Sequence, residues 1–431
     1  MKKTVQILLL ITILNFTPSF GDGMFFYDTD YLGNNAESPN QRALIIFNGT
    51  RETMIIQVKY SGNVDRFGWV VPIPSLPDAE DITTVSDSIF YNLHQRTQPK
   101  VFWGNGAKYG RTIDSYNEVL EESDVEEWHN LSVGPYDISV LSSNNNQSLI
   151  DWLSNRGFSF PAEAGPVIDF YIQKKWYFVA VKVDVAAGGD RSKNSSYQAG
   201  LPAIKISFNT ELPVFPLKIS RLTSSSKNEI ELYVAAYHRM ICTSYATLAM
   251  EYKEVEKKLK EQISLFQTSG SSGIACACDR VFTPASDDWE LEYEPIFKER
   301  VASCSEPTFI VESAIQGYTS FDPLKYPEIG SFDGFFNDYF PTDTCFWITR
   351  LRTVLSPDQM NEDVIFTPDP SGDEWLNLEF FFMKSETSPW AAASFLFPML
   401  LAVPVAVSKR LRREFWREFC VAILLSLIIF I

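Results

Sequence analysis

A chain of 431 residues with 54 acidic against 37 basic side chains, net charge −17, repels nucleic acid and anionic lipid headgroups and so excludes nucleic acid as a partner. With 45% hydrophobic and 14% aromatic residues it is too apolar to be a solvated, unfolded polymer, and it is long enough for one large core or two.

At the N-terminus, Lys2 and Lys3 precede an apolar run from Val5 to Leu14 and small residues at Ser19 and Gly21. That is the layout of a secretory signal peptide over residues 1–21, with an uncleaved anchor as the alternative. An exported region then spans residues 22–389. RALIIF and TMIIQVKY flank Asn48-Gly49 and predict a hairpin, because that dipeptide accepts the turn's left-handed backbone. FGWVVPIPSLPD predicts a strand pushed to a sheet edge by Pro72, Pro74 and Pro77, which have no N–H for the ladder. Val85, Ile89 and Leu93 share one helical face. Ser148 with Asp151 reads as a capping box before LIDWL, and Gly157 as its stop.

WYFVAVKVD, AIKISFN and EIELYVAAY read as strands, the last two with apolar residues at every second position. Leu248, Tyr252, Val255, Leu259 and Phe266 stripe one side of a helix that is charged on the other, as suits a helix packed on a core or a partner helix. SGSSGIA is a linker, and a second subdomain is expected from about residue 241.

Residues 390–407 carry no charge and as a helix reach ~27 Å, against a hydrocarbon core of about 30 Å, which predicts a transmembrane helix. Lys409, Arg410, Arg412, Arg413 and Arg417 crowd the loop 408–418, and 419–431 is a second hydrophobic segment too short to span comfortably. If the bulk of the chain is exported, the first helix runs inward and the positive-inside rule places the basic loop in the cytoplasm as a topological anchor. The expected fold class is α+β: a β-rich exported region with mainly antiparallel strands and a few helices, followed by a C-terminal transmembrane helix or helical hairpin.

Cys242, Cys276, Cys278, Cys304 and Cys345 lie in the exported region, and Cys420 in the apolar tail. An oxidising compartment favours two disulfides among Cys242, Cys276, Cys278 and Cys304, with the connectivity open. Zinc is the rival, but Cys-x-Cys without a second nearby pair is a poor metal pattern.

The stretches QVKYSGNVDRFGWVVPIPSLPD, GPYDISVLSSNNNQSLIDWLSNRGFSFPAEAGPVIDFYIQKKWYFVAVKVD, LPAIKISFNTELPVFPLKIS and TRLRTVLSPDQMNEDVIF resemble successive blocks of the secreted bacterial family catalogued as domain of unknown function 2330. The resemblance covers roughly Met24 to Pro370. It implies export, often with a hydrophobic C-terminal anchor, and brings no catalytic residue.

His94, His129 and His238 lack metal-type spacing and read as surface or packing residues. No Walker loop, dinucleotide glycine pattern or nucleophile elbow occurs. EESDVEE and DDWELEYE lack the calcium-loop pattern and read as solvated acidic faces. Two functions are expected, neither with a cofactor or metal. One is a membrane-anchored extracytoplasmic binding or structural module, partnered by the membrane and an envelope or membrane protein. The alternative is an exported hydrolase using carboxylates or His238.

Overall fold

The computed structural model describes residues 24–27, 41–57, 66–103, 130–155, 164–184, 201–222, 227–268, 290–319, 331–376 and 378–382. The signal layout, the linker SGSSGIA, Cys276, Cys278, His129, Gly157, the run EESDVEE, the apolar segments 390–407 and 419–431 and the basic cluster Lys409, Arg410, Arg412, Arg413 and Arg417 all lie outside them. Among the described residues no helix is long and apolar enough to cross a membrane. The chain divides into two compact units, one of Met1–Phe102 with Lys108–Phe380 and one of Trp103–Ala107 with Phe381–Ile431. The second lies almost wholly outside the described residues.

The described strands are β1 (Met24–Tyr27), β2 (Gln41–Phe47), β3 (Arg51–Ile56), β4 (Arg66–Ile73), β5 (Ile82–Val85), β6 (Lys100–Trp103), β7 (Asn130–Val133), β8 (Tyr136–Leu141), β9 (Tyr177–Asp184), β10 (Ala203–Asn209), β11 (Val214–Phe215), β12 (Asn228–Ala236), β13 (Met240–Cys242), β14 (Ala246–Ala249), β15 (Thr308–Tyr318), β16 (Cys345–Leu355), β17 (Val364–Pro368) and β18 (Glu379–Phe382). Helices are α1 (Ser88–Thr97), α2 (Asn146–Ser154), α3 (Ala164–Gln173), α4 (Tyr252–Thr268) and α5 (Glu290–Ala302), with a short turn of helix at Ser331–Gly334 running into a 3-10 turn at Phe335–Asp338.

An eight-stranded sheet runs β14-β15-β16-β12-β2-β3-β10-β5, and a five-stranded sheet runs β1-β4-β9-β8-β7. Only β12 with β2 and β14 with β15 pair in parallel among the described ladders. The β-rich, mainly antiparallel character read from the sequence is therefore what the chain adopts. Residues beyond 241 supply β14, β15 and β16 to the same sheet as β2 and β3.

The two sheets face each other across one apolar layer. From the large sheet come Ala43, Ile45, Met54, Ile204, Ile206, Leu232 and Val234, and from the small one Trp69, Val71, Ile138, Val179 and Val181. The far side of the small sheet, through Val70, Phe178 and Ala180, packs on Leu149 and Leu153 of α2 and Val167, Ile168 and Tyr171 of α3. The far side of the large sheet, through Leu44, Ile46, Ile55, Tyr233 and Ala235, is covered by Ile89, Phe90 and Leu93 of α1 and by Phe332, Phe336 and Phe340. The order is helix, sheet, sheet, helix. The strand β12 is consequently buried on both faces, with Ile230, Leu232 and Val234 on the inner one and Tyr233 and Ala235 on the outer.

Several local expectations shift by a residue or a turn. The β2–β3 hairpin forms, but its turn residues are Gly49, at φ 99°, and Thr50, closed by a 3.2 Å bond from the Asn48 N–H to the Arg51 carbonyl. Asn48 instead accepts the Thr50 and Arg51 N–H groups on its side-chain oxygen, at 3.3 and 3.0 Å. The proline-bearing strand β4 is not at an edge, since β9 lies on one side and β1 on the other. Among the described residues β1 pairs with β4 only from Phe67 to Val70, so Pro72 has β9 alone as a described neighbour. Val85 closes β5 and does not join α1, whose buried face is Ile89, Phe90, Leu93 and Thr97. The cap of α2 is Asn145, whose side chain accepts the Ser148 N–H at 2.8 Å, so Ser148 sits at the third helical position. Leu248 lies in β14 and is exposed, whereas Val255 and Leu259 of α4 are buried.

Gly317 of β15 is required by close approach. A Cβ there would lie 2.3 Å from the Phe346 ring tip. That ring cannot swing away, because it stacks on Phe340 at 5.0 Å and against Phe336 at 4.6 Å. Gly317→Ala is expected to cost about 1–3 kcal/mol through overpacking, read as a lower urea midpoint with unchanged slope.

Candidate functional site

The outer face of the large sheet carries charge as well as apolar cover. β12 contributes Glu229 and Glu231, and β16 contributes Arg350 and Arg352. Arg350 lies 2.7 Å from Glu231 and 3.1 Å from Glu312, and Arg352 lies 3.1 Å from Glu312 and 3.0 Å from Glu294, with Glu229 also in contact. Arg42 of β2 adds a 2.5 Å pair with Glu231. Glu312 reaches both arginines because the β15–β16 register shifts between Val311 and Ser313, which makes Glu312 the bulged residue. Tyr293 of α5 donates to Glu312 at 3.0 Å, and Phe297 lies under the Arg352 guanidinium at 3.9 Å. Glu294, read from the sequence as part of a solvated acidic face, instead belongs to this lattice.

Burial by itself would raise the Glu231 carboxyl, but Arg42 and Arg350 outweigh it and hold that carboxyl well below the usual range. Its contribution to stability is present above the ordinary carboxylate range and is lost as pH falls. Glu52, on β3, shows the opposite balance. It is fully buried, accepts only the Val214 N–H at 2.8 Å, and its other oxygen has no partner. Burial pushes its carboxyl well up, and the one backbone bond only partly opposes this.

A solvent-open cleft lies where the apolar cover of the large sheet ends. Its volume is about 240 Å³ and its walls are Ile46, Asn48, Arg51, Thr53, Lys205, Ser207, Asp338 and Tyr339. Register explains the set. Thr53 pairs with Ile46 on one side and Ser207 on the other, and Lys205 sits between Ile55 and Thr83. These positions share the face that holds Leu44 and Ile46, but beyond the reach of α1. The Thr53 and Ser207 hydroxyls are 2.8 Å apart. Arg51 is ion-paired to Asp81, whereas Lys205 has no acidic partner among the described residues. Asp338 and Tyr339 form the opposite lip, the phenol pushed up to about 12 by burial and by Asp338, so it stays neutral.

The expected site residues are scattered. Cys242 is buried on β13, 3.5 Å from the Ser244 hydroxyl, and burial pushes its thiol up. Cys304 is 3.4 Å from the Arg300 carbonyl, and Cys242, Cys304 and Cys345 are all free thiols. Cys242 and Cys304 stand on different elements and are not joined to each other, and Cys276 and Cys278, the other two expected bridge members, lie outside the described residues. His94 lies 3.8 Å from Glu231 and 3.4 Å from Arg350, a packing role. His238 is exposed, with its Nδ1 2.9 Å from Asp373 Oδ2, and Asp373 also accepts the Arg239 N–H at 2.8 Å. Sequence reasoning missed the cleft, although one signal was available: in AIKISFN the polar Lys205 and Ser207 alternate with the apolar Ile204, Ile206 and Phe208.

A family model described as an uncharacterised protein conserved in bacteria, domain of unknown function 2330, matches residues 28–264. No curated protein matches the sequence. A similar solved structure is the crystal structure of baculovirus P35, at 9% identity over 53% of this chain and 70% of that one, with a TM-score of 0.26, too low to carry an argument.

Removing the shared carboxylate with Glu312→Gln leaves two buried guanidinium groups short of charge and is expected to cost about 3–5 kcal/mol in urea unfolding. Glu52→Gln is expected to act in the other direction. Because the folded-state carboxyl of Glu52 is raised, its protonated form suits the fold and stability is lost as pH rises above the usual carboxylate range. The amide should therefore gain about 1–3 kcal/mol near pH 8 and almost nothing near pH 4, read from paired urea melts.

Proposed function

The chain belongs to the bacterial family catalogued as domain of unknown function 2330, and from that footing we propose that it is a membrane-anchored extracytoplasmic binding module of the cell surface. The observation that supports this reading is the agreement of two separate sequence signals. The basic start and apolar run of residues 1–21 direct export, and the basic cluster Lys409 to Arg417 between apolar segments marks the inner side of the membrane. A tether of this kind holds the exported region close to envelope and membrane proteins and raises its effective concentration for them, which suits weak binding. The excess of acidic residues steers basic partners and makes the encounter salt-sensitive. The open polar cleft offers a place for such a partner or ligand.

A second reading rests on His238. A carboxylate that holds one imidazole nitrogen, as Asp373 holds Nδ1, leaves the other nitrogen to act as a general base, so an exported hydrolase is the competing function.

Protease added to intact cells is expected to digest the region 22–389 while sparing a tag inserted within 409–417; digestion of that tag without lysis rules out the topology. Crosslinking in intact membranes should then capture an envelope or membrane protein, in yields that fall as salt rises. Hydrolysis of ester, peptide or glycan substrates that disappears in a folded His238→Ala variant would establish the second reading instead.

A further inference from the structure

Lys205 and Asp338 line one cleft, carry opposite charges, and form no ion pair with each other or with any other described residue. No third charged group among the described residues meets either of them. Arg51, the remaining ion in the walls, is already neutralised by Asp81. The unspent charge of the cleft is therefore one cation and one anion, held apart.

The floor adds a directed donor. Thr53 is 4% and Ser207 7% exposed, and their hydroxyls bond to each other. Two hydroxyls carry two hydrogens, and one bond uses one of them, so the pair keeps a donor without a protein acceptor. A cation beside a spare hydroxyl donor is complementary to a carboxylate, and the carboxylate of Asp338 across the opening is complementary to an ammonium. The volume of about 240 Å³ is below that of pockets for drug-sized ligands and suits a small molecule.

We propose that this cleft binds a small zwitterion of the free amino acid class, its carboxylate on Lys205 and the Thr53–Ser207 hydroxyls and its ammonium on Asp338. The inference rests on the binding-module reading and names the ligand class for its cleft. Lys205 is half-buried and Asp338 exposed, so water competes for both charges and each contact is worth roughly a tenfold change in Kd.

The full-length protein is titrated by calorimetry with each standard amino acid in turn, and then with the deaminated acid and the decarboxylated amine of the tightest binder. The zwitterion is expected to bind about tenfold or more tighter than either analogue. Lys205→Met should remove its advantage over the amine, and Asp338→Asn its advantage over the acid, with unfolding curves confirming that both variants fold. Equal binding of the acid and the zwitterion, or binding of none of the amino acids, overturns the proposal. Topology and partner capture are measured on the same two variants. If both persist while amino acid binding is absent, the zwitterion site fails and the tethered module stands; a misplaced tag with intact amino acid binding gives the reverse.

Discussion

Arg350 sits on a central strand with its guanidinium between Glu231 and Glu312 and almost no access to solvent. A guanidinium cannot shed its proton, so once it is buried its charge must be met within the sheet. That demand sets the neighbours. β12 must bring Glu231 alongside, β15 must bulge to turn Glu312 toward both Arg350 and Arg352, and α5 must lie close enough to supply Tyr293 and Glu294. A one-residue slip of β16 would drive both arginines into the apolar layer between the sheets and bring Leu351 out to the carboxylates. The lattice therefore specifies register more than it adds net stability, since desolvation offsets much of the attraction.

The same face of the large sheet changes character across its width. Under α1 and the Phe332–Phe340 turn it is apolar, and at β12 and β16 it is ionic but closed. At one end of β3 and β10 it is polar and borders the cleft, because the side chains there are Thr53, Ser207 and Lys205. A strand pairing that carries apolar residues at one end and hydroxyls at the other yields a ligand-accessible patch on a rigid floor, a better support for a site than a loop.

The five-stranded sheet and its helices α2 and α3 close the opposite side of the molecule. Tyr171 ties this layer to the segment before β17, donating to Asp363 at 2.6 Å while accepting the Ile219 N–H at 3.1 Å. His238 and Asp373 meet on yet another surface, where the β12–β13 turn approaches the loop after β17. The polar features serve separate purposes: one lattice holds register, one hydroxyl bridges layers, one cleft stays open.

Alternation within strands is a local property, so AIKISFN, WYFVAVKVD, EIELYVAAY and the β2–β3 hairpin were legible from residue order, as were the strand-rich class and the family. Residue order did not reveal which strands are central. The prolines of FGWVVPIPSLPD argue for an edge, yet β1, distant from β9 in sequence, pairs along Phe67 to Val70 and puts the strand inside the sheet. Nor could local pattern join Glu231 and Glu312 to Arg350 or Thr53 to Ser207, or set Lys205 and Asp338 in the walls of one cleft, since each juxtaposition closes a long loop whose geometry depends on the whole sheet. The cysteines make the same point. Residue order counts them, but a bridge needs two sulfurs at one place, and tertiary packing puts Cys242 beside Ser244 and Cys304 beside Arg300, on separate elements.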